Sequence, residues 1–185
     1  QRRFVKTYKK GTKTFPERNP SHFSYTEGGG TRVHSIVFRY KQIAPRFVPI
    51  IPVILYGPRT SIAVEAYVDS GASFSVFSYE IANELKLNLR DAREQYFVVG
   101  DGGFIPSKVT RIPVQIGPEK FLSNVAFTER LHIGFNLLGR QGVFEYFDEV
   151  VFNEKRKQVS FRYKDVIHKK VGPSQLQIGD CGLRN

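Results

Sequence analysis

The chain has 185 residues, 41% of them hydrophobic, and a formal charge of +11, which suits one globular domain with flanking segments. No apolar run approaches the roughly 18–20 residues that a membrane-spanning helix needs; the longest, FVPIIPVILYG, is short and carries two prolines. The single cysteine, Cys181, allows no internal disulfide, and no Cys/His cluster has zinc-ligand spacing, so neither a metal nor a cofactor is expected.

The charge is unevenly placed. Residues 1–46 hold eleven Lys/Arg and two Glu, hence +9, while the remainder holds seventeen Lys/Arg against fifteen Asp/Glu, hence +2. Residues 1–31 read as a basic flexible tail, because KTYKKGTKTFPERNPSHFSYTEGGG has no hydrophobic period and too little apolar surface to offset the entropy of ordering. Two readings of it stand side by side, an electrostatic arm for nucleic acid and a solvated linker. The chain contains no methionine and reads as a fragment or a processed chain. Its basic opening, QRRFVKTYKKGTK, is not followed by the apolar stretch of a signal peptide, and a cytoplasmic location is expected. His22, His34, His132 and His168 are scattered and are expected to be surface or structural histidines.

From about residue 33 the pattern is strand after strand. VHSIVFRY is β-rich. RFVPIIPVILYG follows, with Pro49 and Pro52 arguing for an edge or a strand entry, since proline donates nothing to a ladder. GPRTS reads as a hairpin turn into SIAVEAYVD, where Ile62, Val64, Ala66 and Val68 face one way and Glu65 and Tyr67 the other. SYEIANELKL predicts a short helix with Ser78 as N-cap and Ile81 and Leu85 on one face. EQYFVV, VTRIPVQIG and FLSNVAF are predicted strands. GRQGVFEYF predicts a second, shorter helix. EVVF and QVSFRY flank the polar turn NEKRK and predict a last hairpin. The domain is expected over 32–165, mostly β, as a barrel or sandwich. Residues 166–185 return to tail-like composition.

Three stretches carry candidate chemistry. Asp69 ends an apolar-faced strand and is followed by Ser70, Gly71 and Ala72. A carboxylate in such a place needs hydrogen-bond donors or has its pKa raised, although Asp-Ser-Gly is also a common turn tripeptide. About thirty residues on, VVGDGGFIPS joins two apolar strands through a glycine-rich turn, which reads as a lid or as an ordinary hairpin. Farther on, FNLLGR reads as the opening of a helix, or as a core strand with a Gly cap.

In that order the three resemble the retropepsin-type aspartic proteases, over roughly residues 48–147. The helix after the acid motif and the added C-terminal hairpin look more like the cellular and bacterial members than the minimal viral ones. The resemblance implies a closed all-β acid-protease barrel with one or two short helices, one lobe per chain, pairing as a homodimer. It implies an aspartic endopeptidase in which Asp69 from each subunit activates water. Ser70 would hold the two loops together, and Gly71 would accept a substrate N–H. Ala72 with Gly100, Asp101, Gly102, Gly103 and Phe104 would bind substrate, the last five as a closing flap. Leu137, Leu138, Gly139 and Arg140 would support the active loop from below. The implied partners are a peptide or protein substrate and a second copy. Phe74, Val76, Phe104, Ile105 and Leu138 suggest apolar side chains on that substrate. One departure is visible: Ser73 stands where viral members often carry an acid that pairs with the arginine of the second motif. Glu145 or Asp148 is the candidate replacement for Arg140. Two further readings remain open, a retropepsin-like domain that binds peptides without cutting them, and nucleic-acid association through the basic N-terminal segment.

Overall fold

In a computed structural model the chain is described over residues 22–23, 33–98, 103–129, 131 and 134–164. Alternation decides most of its strands. In β5 (Ile50–Tyr56) and β6 (Ser61–Val68) every second side chain is buried, and the two pair antiparallel across the Gly57–Thr60 turn. The N–H of Val68 donates to the carbonyl of Pro49, which puts Pro52 opposite Glu65 at a position whose nitrogen faces away from β6. On that other flank the next strand pairs only with Ile54 and Leu55. Pro52 is therefore tolerated, as expected for an edge segment.

Before β5 the chain runs through β2 (Val33–Arg39) and a small hairpin of β3 (Lys41–Ile43) and β4 (Arg46–Val48). The run expected as RFVPIIPVILYG is thus split at Pro49. After β6 come β7 (Val76–Ser78), α1 (Tyr79–Glu84), β8 (Arg93–Val98), β9 (Phe104–Ile116), β10 (Glu119–Thr128) and β11 (Asn136–Leu138). The order β10-β7-β11-β6-β5-β9 closes on itself through the β9–β10 hairpin, and β8 extends from the first half of β9. This is a closed barrel. It is filled by Val53, Leu55, Val64, Val68, Val114, Ile116, Phe77 and Phe127, each almost or wholly buried. A fully buried Phe or Leu contributes about 1.5–3 kcal/mol.

Helix α1 covers one end of the barrel with Ile81, Ala82 and Leu85. Ser78 occupies its N-cap position as expected, but the hydroxyl caps nothing and has no hydrogen-bond partner. Because Ser78 is also the last residue of β7, its backbone serves the sheet. The second expected helix is only a single 3-10 turn over Phe144–Tyr146. Its amides donate to the carbonyls of Gly139, Arg140 and Val143, its Phe144 carbonyl accepts the Phe147 N–H, and Phe147 returns to extended backbone.

A second sheet packs on the barrel. Its order is β1 (His22–Phe23), β2, β13 (Gln158–Lys164), β12 (Glu149–Asn153), with the last two forming the expected terminal hairpin. Ile36, Phe38, Val159 and Phe161 turn inward from it, and the Phe161 ring lies 4.9 Å from that of Phe147. The strand His22–Phe23 falls within the segment expected as tail, pairing with Val37 and Ile36. His34 stacks on Tyr163 at 5.0 Å, a structural contact. His132, His168, Cys181 and the C-terminal segment lie outside the described residues. Among the described residues no helix is long and apolar enough to cross a membrane.

Candidate active site

The Asp69 loop is built by a strand insertion. β6 and β7 are joined by the loop 69–75, yet they are not neighbours, because β11 lies between them. β11 runs parallel to β6, with Leu138 opposite Val68, and antiparallel to β7, with Leu137 opposite Val76. The ladder continues one step past β6, where the N–H of Asp69 donates to the carbonyl of Leu138 at 3.0 Å. The chain then leaves the sheet and turns. The amide of Ala72 donates to the Asp69 carbonyl at 3.2 Å, and that of Gly71 to Asp69 Oδ1 at 2.8 Å. Asp69 is half-buried, while Ser70 and Gly71 are exposed. A Cβ at Gly71 would stand 3.2 Å from Asp69 Oδ1, so the short amide–carboxylate bond favours glycine there.

The return half of the loop is strapped to the end of β11. Arg140 N–H donates to the Ala72 carbonyl at 3.0 Å and Gln141 N–H to that of Ser73 at 2.9 Å. Between them Gly139 lies under the loop: a Cβ on it would come 2.3 Å from the Phe74 carbonyl oxygen and 2.8 Å from that of Ala72. Its own N–H donates to Ser75 Oγ at 3.0 Å, and Ser75 is wholly buried. Leu137, Leu138, Gly139 and Arg140 are therefore brought together with Asp69, Ser70, Gly71 and Ala72.

Two residues of this arrangement carry no sequence signal of their own kind. Ser75 is a hydroxyl in the apolar run FSVF, and only its burial without a polar surface marks it. Asn136 bridges the strands on either side of β11, its Nδ2 donating to the Glu65 carbonyl at 2.9 Å and its Oδ1 accepting the Ser78 N–H at 3.3 Å.

Beside the loop, β8 and the start of β9 form a hairpin, with Val98 opposite Phe104. Gly100, Asp101 and Gly102, expected at its tip, lie outside the described residues; Gly103 and Phe104 are exposed. Tyr96, Val98 and Phe104 present one open face, each more than 60% accessible. The opposite face turns Phe97 onto Phe74, ring centroids 5.1 Å apart. Phe74, Val76 and Ala126 form a small apolar cluster, with Phe97, Val109, Leu131 and Leu137 packed against it. Leu138 does not join it. Successive strand residues point to opposite faces, and Leu138 is wholly buried in the main core. The expectation that groups Leu138 with Phe74 and Val76 is corrected: Leu137 packs against them.

Neither proposed replacement reaches Arg140. Glu145 Oε1 accepts the Gly142 N–H at 2.8 Å, and Asp148 Oδ2 accepts that of Lys164 at 2.7 Å. Across the hairpin base Lys108 pairs with Glu94 at 2.6 Å, and that hydrogen bond and charge hold Glu94 below the usual carboxylate range. An open cavity of about 290 Å³ at the same base, touching Tyr79, Tyr96, Thr128 and Glu129, does not include Asp69. Among the described residues no cluster of three or more His, Cys, Asp or Glu gathers.

The folded chain is similar to a retropepsin-like aspartic protease from Rickettsia conorii, with a TM-score of 0.50 and 18% identity over 75% of this chain and 98% of that one. It is also similar to EIAV protease in complex with an inhibitor (TM-score 0.40, 18% identity, 54% and 88% covered). A third similar structure is the retroviral protease-like domain of Ddi1 from Leishmania major (0.39, 17%, 65% and 90%). No family model and no curated protein matches the sequence. The fold is an all-β, retropepsin-like barrel.

Proposed function

We propose that this chain is an aspartic endopeptidase that works as a homodimer, with Asp69 of each subunit forming the catalytic pair. The observation that carries the reading is the placement of Asp69: a half-buried carboxylate on a turn held by Leu138, Gly71 and the Gly139–Arg140 strap. The Gly71 bond alone is that of an ordinary Asp-Ser-Gly turn; the feature that goes beyond such a turn is the Gly139–Arg140 strap, with Gly139 packed directly under the loop.

One chain supplies one such acid, and the reaction needs two. Like charges a few ångströms apart do not both ionise readily, so the pair shares a proton and titrates in coupled steps. The ionised carboxylate takes a proton from water, whose oxygen attacks the scissile carbonyl carbon. The protonated carboxyl gives its proton to the carbonyl oxygen. In the collapse of the tetrahedral intermediate one of its two hydroxyls returns a proton to the carboxylate that is now ionised as the C=O re-forms, the C–N bond breaks, and the leaving nitrogen takes up the proton drawn from water, which restores the singly protonated pair. An isologous two-fold interface supplies both acids from one gene segment. Asp69 is half-buried and the adjoining Ser70 and Gly71 are exposed, which suits a half-site.

In this reading Ser70 links the paired loops, and the Gly71 carbonyl accepts a substrate N–H. Ala72 and the 100–104 flap hold an extended peptide in the manner of an added strand. The cluster of Phe74, Val76, Phe97 and Leu137 favours apolar side chains next to the cut bond. In this reading the protease domain spans 32–165, with the strand His22–Phe23 of the basic N-terminal segment added to its second sheet, and a C-terminal tail follows. The test is cleavage of a mixed peptide library by the wild type and by Asp69→Asn. Cleavage by the wild type alone supports the reading. Cleavage by both removes Asp69 from the chemistry. Cleavage by neither, in a protein shown to be dimeric, turns the domain into a peptide binder.

A further inference from the structure

Arg140 is fixed in place by its backbone, and among the described residues its side chain makes no hydrogen bond or ion pair. Its N–H is bound to the Ala72 carbonyl, and its own carbonyl accepts the Glu145 N–H at 3.1 Å. The residue is exposed at the flank of the Asp69 loop. The carboxylates close to it in the chain or across the loop are committed elsewhere: Asp69 to Gly71, Glu145 to Gly142 and Asp148 to Lys164. The loop residue next to Ala72 is the neutral Ser73. Among the described residues no carboxylate pairs with the Arg140 guanidinium.

We infer that Arg140 is a specificity residue that receives an acidic side chain of the peptide substrate near the cut bond. The inference rests on the endopeptidase reading of the same site. A guanidinium keeps its charge at any working pH and offers a planar fork that matches a carboxylate bidentately. The Arg140 backbone lies next to an apolar cluster of Phe74, Val76, Phe97 and Leu137, since the following residue, Gln141, bridges to Phe74. A catalytic pair sharing one proton carries net negative charge and repels an acidic substrate residue, and Arg140 offsets that repulsion locally. The basic excess of the whole chain acts in the same direction at longer range. Because the strapping bonds use only backbone atoms of Arg140, its side chain can be exchanged without removing them.

The experiment compares library cleavage by the full chain, Arg140→Gln and Arg140→Glu, with dimerisation followed by sedimentation. The wild type should enrich Asp or Glu at one position within about three residues of the cut bond, given the ~3.3 Å advance per extended residue. Arg140→Gln should lower the acidic-to-neutral ratio at that position about five- to tenfold. Arg140→Glu should turn the preference toward Lys and Arg. Wild-type cleavage with no acidic enrichment, or the same enrichment in Arg140→Gln, overturns the inference and leaves the endopeptidase reading standing. So does dissociation of the dimer with an unchanged preference, which would make Arg140 an interface contact. If nothing is cleaved, the endopeptidase reading fails separately. Binding of an acidic peptide and its Gln counterpart to wild type and Arg140→Gln then decides the role of Arg140: a loss confined to the acidic peptide supports it, and equal binding overturns it.

Discussion

Gly139 and Phe74 meet so closely that a Cβ on the glycine would lie 2.3 Å from the phenylalanine carbonyl oxygen. The obstacle is backbone, so no side-chain rotation relieves it. Gly139→Ala must push the loop that carries Asp69 away from the end of β11. Overpacking of this kind costs about 1–3 kcal/mol. Urea denaturation should show a loss in that range, together with a fall in any Asp69-dependent cleavage larger than the lost stability explains at room temperature.

Ser75 gives a test on the other side of the same contact. Its hydroxyl is the acceptor for the Gly139 N–H in a fully buried setting. Ser75→Ala leaves that donor without its acceptor, and an unpaired buried group costs about 1–3 kcal/mol. Equilibrium unfolding should show this loss. A neutral result would mean that the N–H finds another acceptor.

Leu137 and Leu138 should separate cleanly. Leu138 is wholly buried in the main core, and Leu138→Ala should cost about 2–5 kcal/mol. Leu137 is only half-buried, beside Phe74 and Val76. Leu137→Ala should be milder in stability and should shift the side-chain preference in library cleavage. Equal destabilisation with unchanged preference would contradict the assigned faces.

That pair also marks where the sequence stops being legible. Alternation alone places Ile62, Val64, Ala66 and Val68 inward, and Ile112, Val114 and Ile116 likewise, because each run is long enough for a period of two to show. The triplet Asn136–Leu138 is too short for that. Its position between β6 and β7 follows from non-local pairing, and so does which leucine faces the loop. The hairpin Lys41–Val48 escapes for the same reason, since each of its strands has three residues. Arg140 was legible as part of a motif, but the commitment of Glu145 and Asp148 to backbone amides was not. Ser75 and Asn136 act through single hydrogen bonds to distant backbone, which no local pattern encodes.

The tyrosines around Glu119 predict an alkaline sensitivity. Tyr146 donates to Glu119 Oε2 at 3.3 Å and Tyr163 to Oε1 at 2.7 Å. Burial first, then the charge and hydrogen bond of Glu119, push the Tyr146 phenol up to about 12, against about 10 in an unfolded chain. The folded state holds this proton more tightly. The resulting stability is complete below about pH 10 and is lost as the pH rises through about 12. The urea midpoint should therefore fall over that window, and fall less in Tyr146→Phe. An identical slope in both proteins would assign the alkaline loss to other groups.

The most direct test of the shared acid pair is a mixing experiment. Wild type and Asp69→Asn are combined at constant total concentration, allowed to exchange subunits, and assayed on a peptide the wild type cleaves. If each active site needs Asp69 from both subunits, mixed dimers are inactive and activity follows the square of the wild-type fraction. An equal mixture then retains about one quarter of the activity. Retention of half the activity would mean that each subunit cuts on its own, and would contradict the account.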